Sequence, residues 1–171
     1  METSPIEICT LAPAEWRAYR ALRLEALRDS PQAFGSSYQD QLSRPDSFWR
    51  TRLEDAAKGQ HTWLFFARAG QAWVGMTGAY HEEADDPGLA TIVSVYVTPT
   101  ARGQGISTRL MQAILDQLRQ AGFRTAQLGV VLGQTAALHL YQGFGFKVVR
   151  TETNLMGDGL EHVEYLMERP I

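Results

Sequence analysis

The stretch Val95-Tyr96-Val97-Thr98-Pro99-Thr100-Ala101-Arg102-Gly103-Gln104-Gly105-Ile106-Ser107-Thr108 decides the fold. Its β-branched start reads as the end of a strand, which breaks at Pro99 into a short loop holding two glycines. Leu110, Met111, Ile114, Leu115 and Leu118 then recur on one face of a helix that ends at Gly122. A strand that feeds a glycine turn at a helix start builds an anion site. The first helical N–H groups have no partner within the helix, and the dipole adds about half a positive charge there. Glycines let the main chain come close to a diphosphate and take conformations that a Cβ forbids. The segment therefore predicts a phosphate-bearing ligand held mostly by main chain.

On the N-terminal side, residues 6–11 read as a first strand, and Pro13 opens a helix through about Arg28 with Trp16, Leu22, Ala26 and Leu27 in its apolar stripe. Asp29-Ser30-Pro31 ends that helix, because the residue before proline is pushed out of the helical region. The segment from Phe34 to Leu42 has no single period. Ser43-Arg44-Pro45-Asp46 reads as a capping box that opens a second helix, running to about Lys58 and stopped at Gly59. Strands at 62–68 and 72–80 form a hairpin around Ala69-Gly70-Gln71, and an acidic turn at 81–89 leads to the strand at 90–97. On the C-terminal side come a strand at 125–132, a short helix at 134–142, and closing strands at 146–152 and 160–168. This order predicts an α+β fold with one parallel crossover around the long helix. No linker or repeat divides the chain, so residues 1–171 read as a single domain.

Composition narrows the function classes. With 44% hydrophobic and 20% charged residues, the chain is globular rather than disordered. A net charge of −3 argues against a nucleic-acid or anionic-membrane partner. Cys9 stands alone, which excludes an internal disulfide and a multi-cysteine metal site. His61, His81, His139 and His162 lack metal-ligand spacing, and no metal is expected. The N-terminal Met-Glu-Thr-Ser-Pro-Ile-Glu carries acid where a signal peptide needs base, and no apolar run has the length of a membrane span. The expectation is a cytoplasmic protein without a membrane partner.

Two motifs now carry a resemblance. Arg102-Gly103-Gln104-Gly105-Ile106-Ser107 is similar to the coenzyme A signature Arg/Gln-x-x-Gly-x-Gly/Ala of the GNAT superfamily of N-acetyltransferases. Gln134-Thr135-Ala136-Ala137-Leu138-His139-Leu140-Tyr141, followed by Gly145-Phe146, resembles the superfamily's Asn-x-x-Ala-x-x-Leu-Tyr and Gly-Phe. Two residues depart from the pattern, Ser107 for Gly or Ala and Gln134 for Asn. The resemblance implies a central mixed, mostly antiparallel sheet, flanked by about four helices, with a V-shaped splay between the fourth and fifth strands. It implies acetyl-CoA as cosubstrate, with main chain of Val95 and Val97 paired to pantetheine beside Tyr96. Amides of Arg102, Gly103, Gln104, Gly105, Ile106 and Ser107, with Thr108, would hold the pyrophosphate, and Gln134 and Tyr141 would approach the pantetheine arm. Self-association as a homodimer is a further implication.

Acetyl transfer to an amine needs a base for the ammonium proton, a stabilised oxyanion and an acid for the departing thiolate. The resemblance gives Tyr141 the acid's place and an amide at Val97 the oxyanion. Many relatives place a glutamate on the fourth strand. Residues 90–97 hold no acid, so Glu82 and Glu83, with Asp85 beside them ahead of the strand, are the candidate bases, beside water with no single dominant base. Glu25 and Tyr38 are candidates to line the acceptor side. No cysteine lies in the motif region, which favours direct attack in a ternary complex. The acceptor read from this is a primary amine, with a small molecule favoured over a protein N-terminus or lysine. A non-catalytic acyl-CoA-binding module is the competing class. A nucleotide-binding α/β domain fails, because its glycine fingerprint follows the first strand.

Overall fold

The computed structural model describes residues 4–171, so Met1, Glu2 and Thr3 of the signal-peptide reading lie outside it. The chain runs β1 (Ile6–Cys9), α1 (Trp16–Asp29), α2 (Tyr38–Leu42), α3 (Asp46–Lys58), β2 (Thr62–Ala69), β3 (Ala72–Tyr80), β4 (Leu89–Val97), α4 (Ile106–Gln120), β5 (Thr125–Val131), α5 (Thr135–Gly143), β6 (Lys147–Leu155) and β7 (Glu161–Pro170). The strands form one sheet in the order β1-β2-β3-β4-β5-β7-β6. Neighbours pair antiparallel except β4 with β5, whose connection passes through α4. Among the described residues, no helix is long and apolar enough to cross a membrane.

Strand alternation divides the core between two faces. On one face, α1 and α3 bury Tyr19, Leu27, Trp49 and Leu53 against Phe66, Met76 and Tyr96. Tyr19 meets Trp49 and Phe66 edge-on, with ring centroids 5.4 and 5.7 Å apart. On the other face, α4 presents Met111, Ile114, Leu115 and Leu118 to Ala90, Ile92, Ala126 and Leu128. Phe65 and Ala67, the neighbours of Phe66, point to that second face as a period of two requires.

Two features depart from the sequence reading. The unassigned segment contains an additional helix, α2, whose N-cap Ser37 accepts from the Asp40 amide at 3.1 Å. The expected capping box at Ser43 does not form. The Ser43 hydroxyl instead donates to the Asp40 carbonyl at 2.7 Å and closes α2, and α3 starts at Asp46 behind Pro45. Proline's fixed φ and missing N–H suit a helix entrance without any side-chain cap. Gly59, at φ 62°, ends α3 as expected.

Candidate active site

The parallel pairing of β4 with β5 stops after three residue pairs, Leu89 with Thr125, Ala90 with Ala126 and Thr91 with Gln127. Both strands continue beyond that point, to Val97 and Val131. They therefore diverge, and a cleft of about 960 Å³ opens between them. This is the expected splay.

Ser94 is what turns β4 away. It has φ 59°, unusual for a residue with a Cβ, and the β3–β4 register shifts there: Gly78 faces Val93 while Met76 faces Tyr96. The bulge changes the phase of the strand. Ala90 and Ile92 face α4, and so do Val95 and Val97, although strict alternation would put the second pair on the other side. The α1 helix holds the bulge in place. Arg23 Nη1 donates to Ser94 Oγ at 3.0 Å and Nε donates to Gln41 Oε1 at 3.1 Å.

Below the cleft, Gly105 (φ 76°) is the N-cap of α4 and supplies no side-chain hydrogen bond. On the extended backbone usual for an N-cap, a serine or aspartate would occupy the first-turn amides; the left-handed backbone here suits glycine instead. Glycine leaves the N–H groups of Ile106, Ser107 and Thr108 open at the positive end of the dipole. Gly103, at φ 78°, makes the preceding turn. Ile106 is 2% exposed and fixes the first turn of α4 in the core. Arg102 crosses the mouth of the loop: its Nε donates to the Val97 carbonyl at 2.9 Å and its Nη2 to Asp29 at 2.7 Å.

The fold brings Val95, Tyr96, Val97, Arg102, Gly103, Ser107, Gln134 and Tyr141 together along one cleft. Gln104, Gly105, Ile106 and Thr108 lie outside its lining, with Gln104, Gly105 and Thr108 exposed. Tyr141 reaches the cleft from α5 and packs edge-on against Phe146, with ring centroids 6.2 Å apart. Burial pushes its phenol well above the usual tyrosine range, so it stays protonated at neutral pH. His139, two residues earlier, is exposed and outside the cleft.

Glu82 and Glu83 are not brought to the cleft. They sit exposed on the turn after β3. Glu25 is exposed on α1 and accepts from the hydroxyls of Tyr96 and Thr98; Tyr38 pairs with Arg28. The carboxylate that does line the cleft is Glu164 on β7, which accepts from Asn154 Nδ2 at 2.7 Å. It lies over Gly129, where an added Cβ would come within 3.1 Å of its Oε1. Leu128 and Val130 face α4, so Gly129 and Glu164 face the α1 side. A segment ahead of α2 covers this side. Phe34 stacks on the Arg23 guanidinium at 4.8 Å, and its carbonyl accepts from the Gly157 amide at 2.7 Å, tying the segment to the β6–β7 turn. A side chain at Gly157 would run into the Ser36 carbonyl. Among the described residues no cluster of His, Cys, Asp and Glu could hold a metal ion.

Comparison with known proteins agrees with this geometry. Residues 19–146 match the Acetyltransferase (GNAT) family. The chain is 39% identical over 70 residues to mycothiol acetyltransferase of Rhodococcus erythropolis, a match covering 41% of this chain and 23% of that protein. It is 36% identical over 55 residues to the L-amino acid N-acyltransferase MnaT of Escherichia coli, covering 32% of each. The chain thus spans a third or less of the length of these two relatives. Its fold is similar to that of yncA from Salmonella typhimurium, solved with its cofactor acetyl-CoA, with a TM-score of 0.81, 16% identity, and coverage of 98% of this chain and 94% of that one. A splayed β4–β5 pair, an open glycine N-cap on α4 and a family match across three quarters of the sequence converge: the chain belongs to the GNAT family of acetyltransferases.

Proposed function

We propose that this chain transfers an acetyl group from acetyl-CoA to a primary amine by direct attack within a ternary complex, with a small molecule as acceptor. The observation that carries the reading is the cleft itself. It joins Gly103 and Ser107, at the start of α4, to Tyr141 on one side and to the α1 face on the other. The donor enters from the α4 side, with its pyrophosphate on the amides around Gly103 to Thr108 and its pantetheine along Val95 to Val97. Acetyl-CoA supplies the activated acyl group as a thioester.

The amine nitrogen bonds to the thioester carbon and the C–S bond breaks. The amide at Val97 faces the developing oxyanion. Tyr141 gives its phenolic proton to the sulfur. Desolvation raises the basicity of a thiolate as it does that of a phenolate, so a buried phenol remains a competent donor there. Glu164 takes the amine's proton, directly or through a water, in the place for which Glu82 and Glu83 were candidates. It is the carboxylate lining the α1 side of the cleft.

Free thiol release tests the reading. Acetyl-CoA is mixed with a panel of amines, and release is expected only when an amine is present. Glu164→Gln is expected to slow release by about tenfold or more. Release that ignores the amine would make the chain a hydrolase. Binding without release would make it an acyl-CoA-binding module. An unchanged rate in Glu164→Gln would assign the proton to water alone.

A further inference from the structure

Arg23 is only 6% exposed, yet it lines the cleft. Its hydrogen bonds go to a neutral amide oxygen and a hydroxyl, those of Gln41 and Ser94. Among the described residues no carboxylate pairs with it. Arg52 lines the same cleft, gives its Nε to the Tyr19 hydroxyl at 2.9 Å, and also lacks an ion-pair partner among the described residues. Burial, opposed by the Tyr19 phenol and joined by the nearby positive charge of Arg52, brings Arg23 down to about 10, and it remains cationic at neutral pH. A buried cation without a counter-charge is costly, and a second cation beside it adds repulsion. An incoming anion relieves both.

Resting on the acetyl-transfer reading, we propose that the acceptor is an amine that also carries a carboxylate, and that Arg23 and Arg52 hold that carboxylate. The planar guanidinium fork suits a carboxylate. The donor's phosphates are served elsewhere, by Gly103 and the start of α4, whereas Arg23 belongs to α1 on the other face of the sheet. Arg23 also touches Ser94, next to Val95 where the thioester is expected. An anion there leaves room for only a short spacer to the reacting nitrogen, which is the layout of an amino acid. Glu164, on the same face, complements the ammonium end. Phe34, Leu155 and Met156 give the lining an apolar part for a side chain.

The test compares leucine, phenylalanine, glutamine and serine, each beside its carboxamide and its decarboxylated amine, by thiol release from acetyl-CoA. The carboxamide's amine is the less basic, so a site blind to the carboxylate would favour the amide. For at least one amino acid, kcat/KM is expected to exceed that of its amide by about a hundredfold. Arg23→Gln and Arg52→Gln are each expected to shrink that preference by about tenfold or more, with calorimetric binding of acetyl-CoA showing that the variant is folded. If Arg23→Gln does not fold, Arg52→Gln and the unaltered chain still decide. Amides accepted as well as the acids, or acceptors confined to amines without a carboxylate, would overturn the proposal and leave acetyl transfer standing. No release with any amine, despite acetyl-CoA binding, would overturn the transfer reading and this inference with it.

Discussion

Tyr141→Phe is expected to lower kcat by about a hundredfold or more while changing acetyl-CoA affinity by no more than about threefold. The substitution removes one hydroxyl and keeps the ring that packs on Phe146. The fold and the donor site therefore have little reason to change. A group used only as the thiolate leaves is lost from the transition state and not from the ground state, which separates kcat from binding. The effect should shrink with a thioester whose leaving thiol is more acidic, because such a thiolate needs no proton. Steady-state kinetics beside calorimetric titration of acetyl-CoA checks this. A rate within about threefold of the unaltered chain would remove Tyr141 as the acid, since positioned proton transfer contributes at least about a hundredfold.

Gly105→Asp is expected to weaken acetyl-CoA binding by about a hundredfold while lowering the melting temperature by only about 2–4 °C. A Cβ is strained at φ 76°, but aspartate tolerates left-handed backbone better than most residues, so the cost at the start of α4 stays at about 1 kcal/mol. Its carboxylate would stand beside the amides that glycine leaves open and would set a negative charge against the pyrophosphate. Losing two charge-assisted hydrogen bonds costs about 3 kcal/mol, or about two powers of ten in affinity. Calorimetry and thermal melting together check the result. Unchanged affinity would show that the pyrophosphate is held elsewhere. A collapse in melting temperature would show that Gly105 serves the turn rather than the ligand.

The order of elements is legible in the sequence wherever apolar periodicity is strong. The α4 stripe, the glycines before it and the hairpin at 62–80 leave few alternatives, and the parallel β4–β5 pair follows from the crossover. The Ser94 bulge is not legible, because a serine between Val93 and Val95 reads as ordinary alternation and the φ of 59° depends on what Arg23 offers from α1. Arg23 itself looks like one more polar residue of an amphipathic helix. Only the packing of Phe34 and Gln41 around it reveals a buried cation. Glu164 is hidden for a related reason: in a strand that alternates along its length, the sequence does not say which face borders a cleft. The acidic turn at 82–86 drew attention by its charge density, yet an acid run next to a strand end is a solvated turn unless the fold bends it inward.

The central claim is that the acetyl group passes straight from donor to amine across the splayed strands. Initial rates measured over a grid of acetyl-CoA and amine concentrations test it most directly, together with a search by mass spectrometry for acetylated protein after incubation with acetyl-CoA alone. Direct transfer predicts intersecting double-reciprocal lines and no acetyl group on the chain. Parallel lines, with one acetyl group per chain that a later pulse of amine removes, would contradict it.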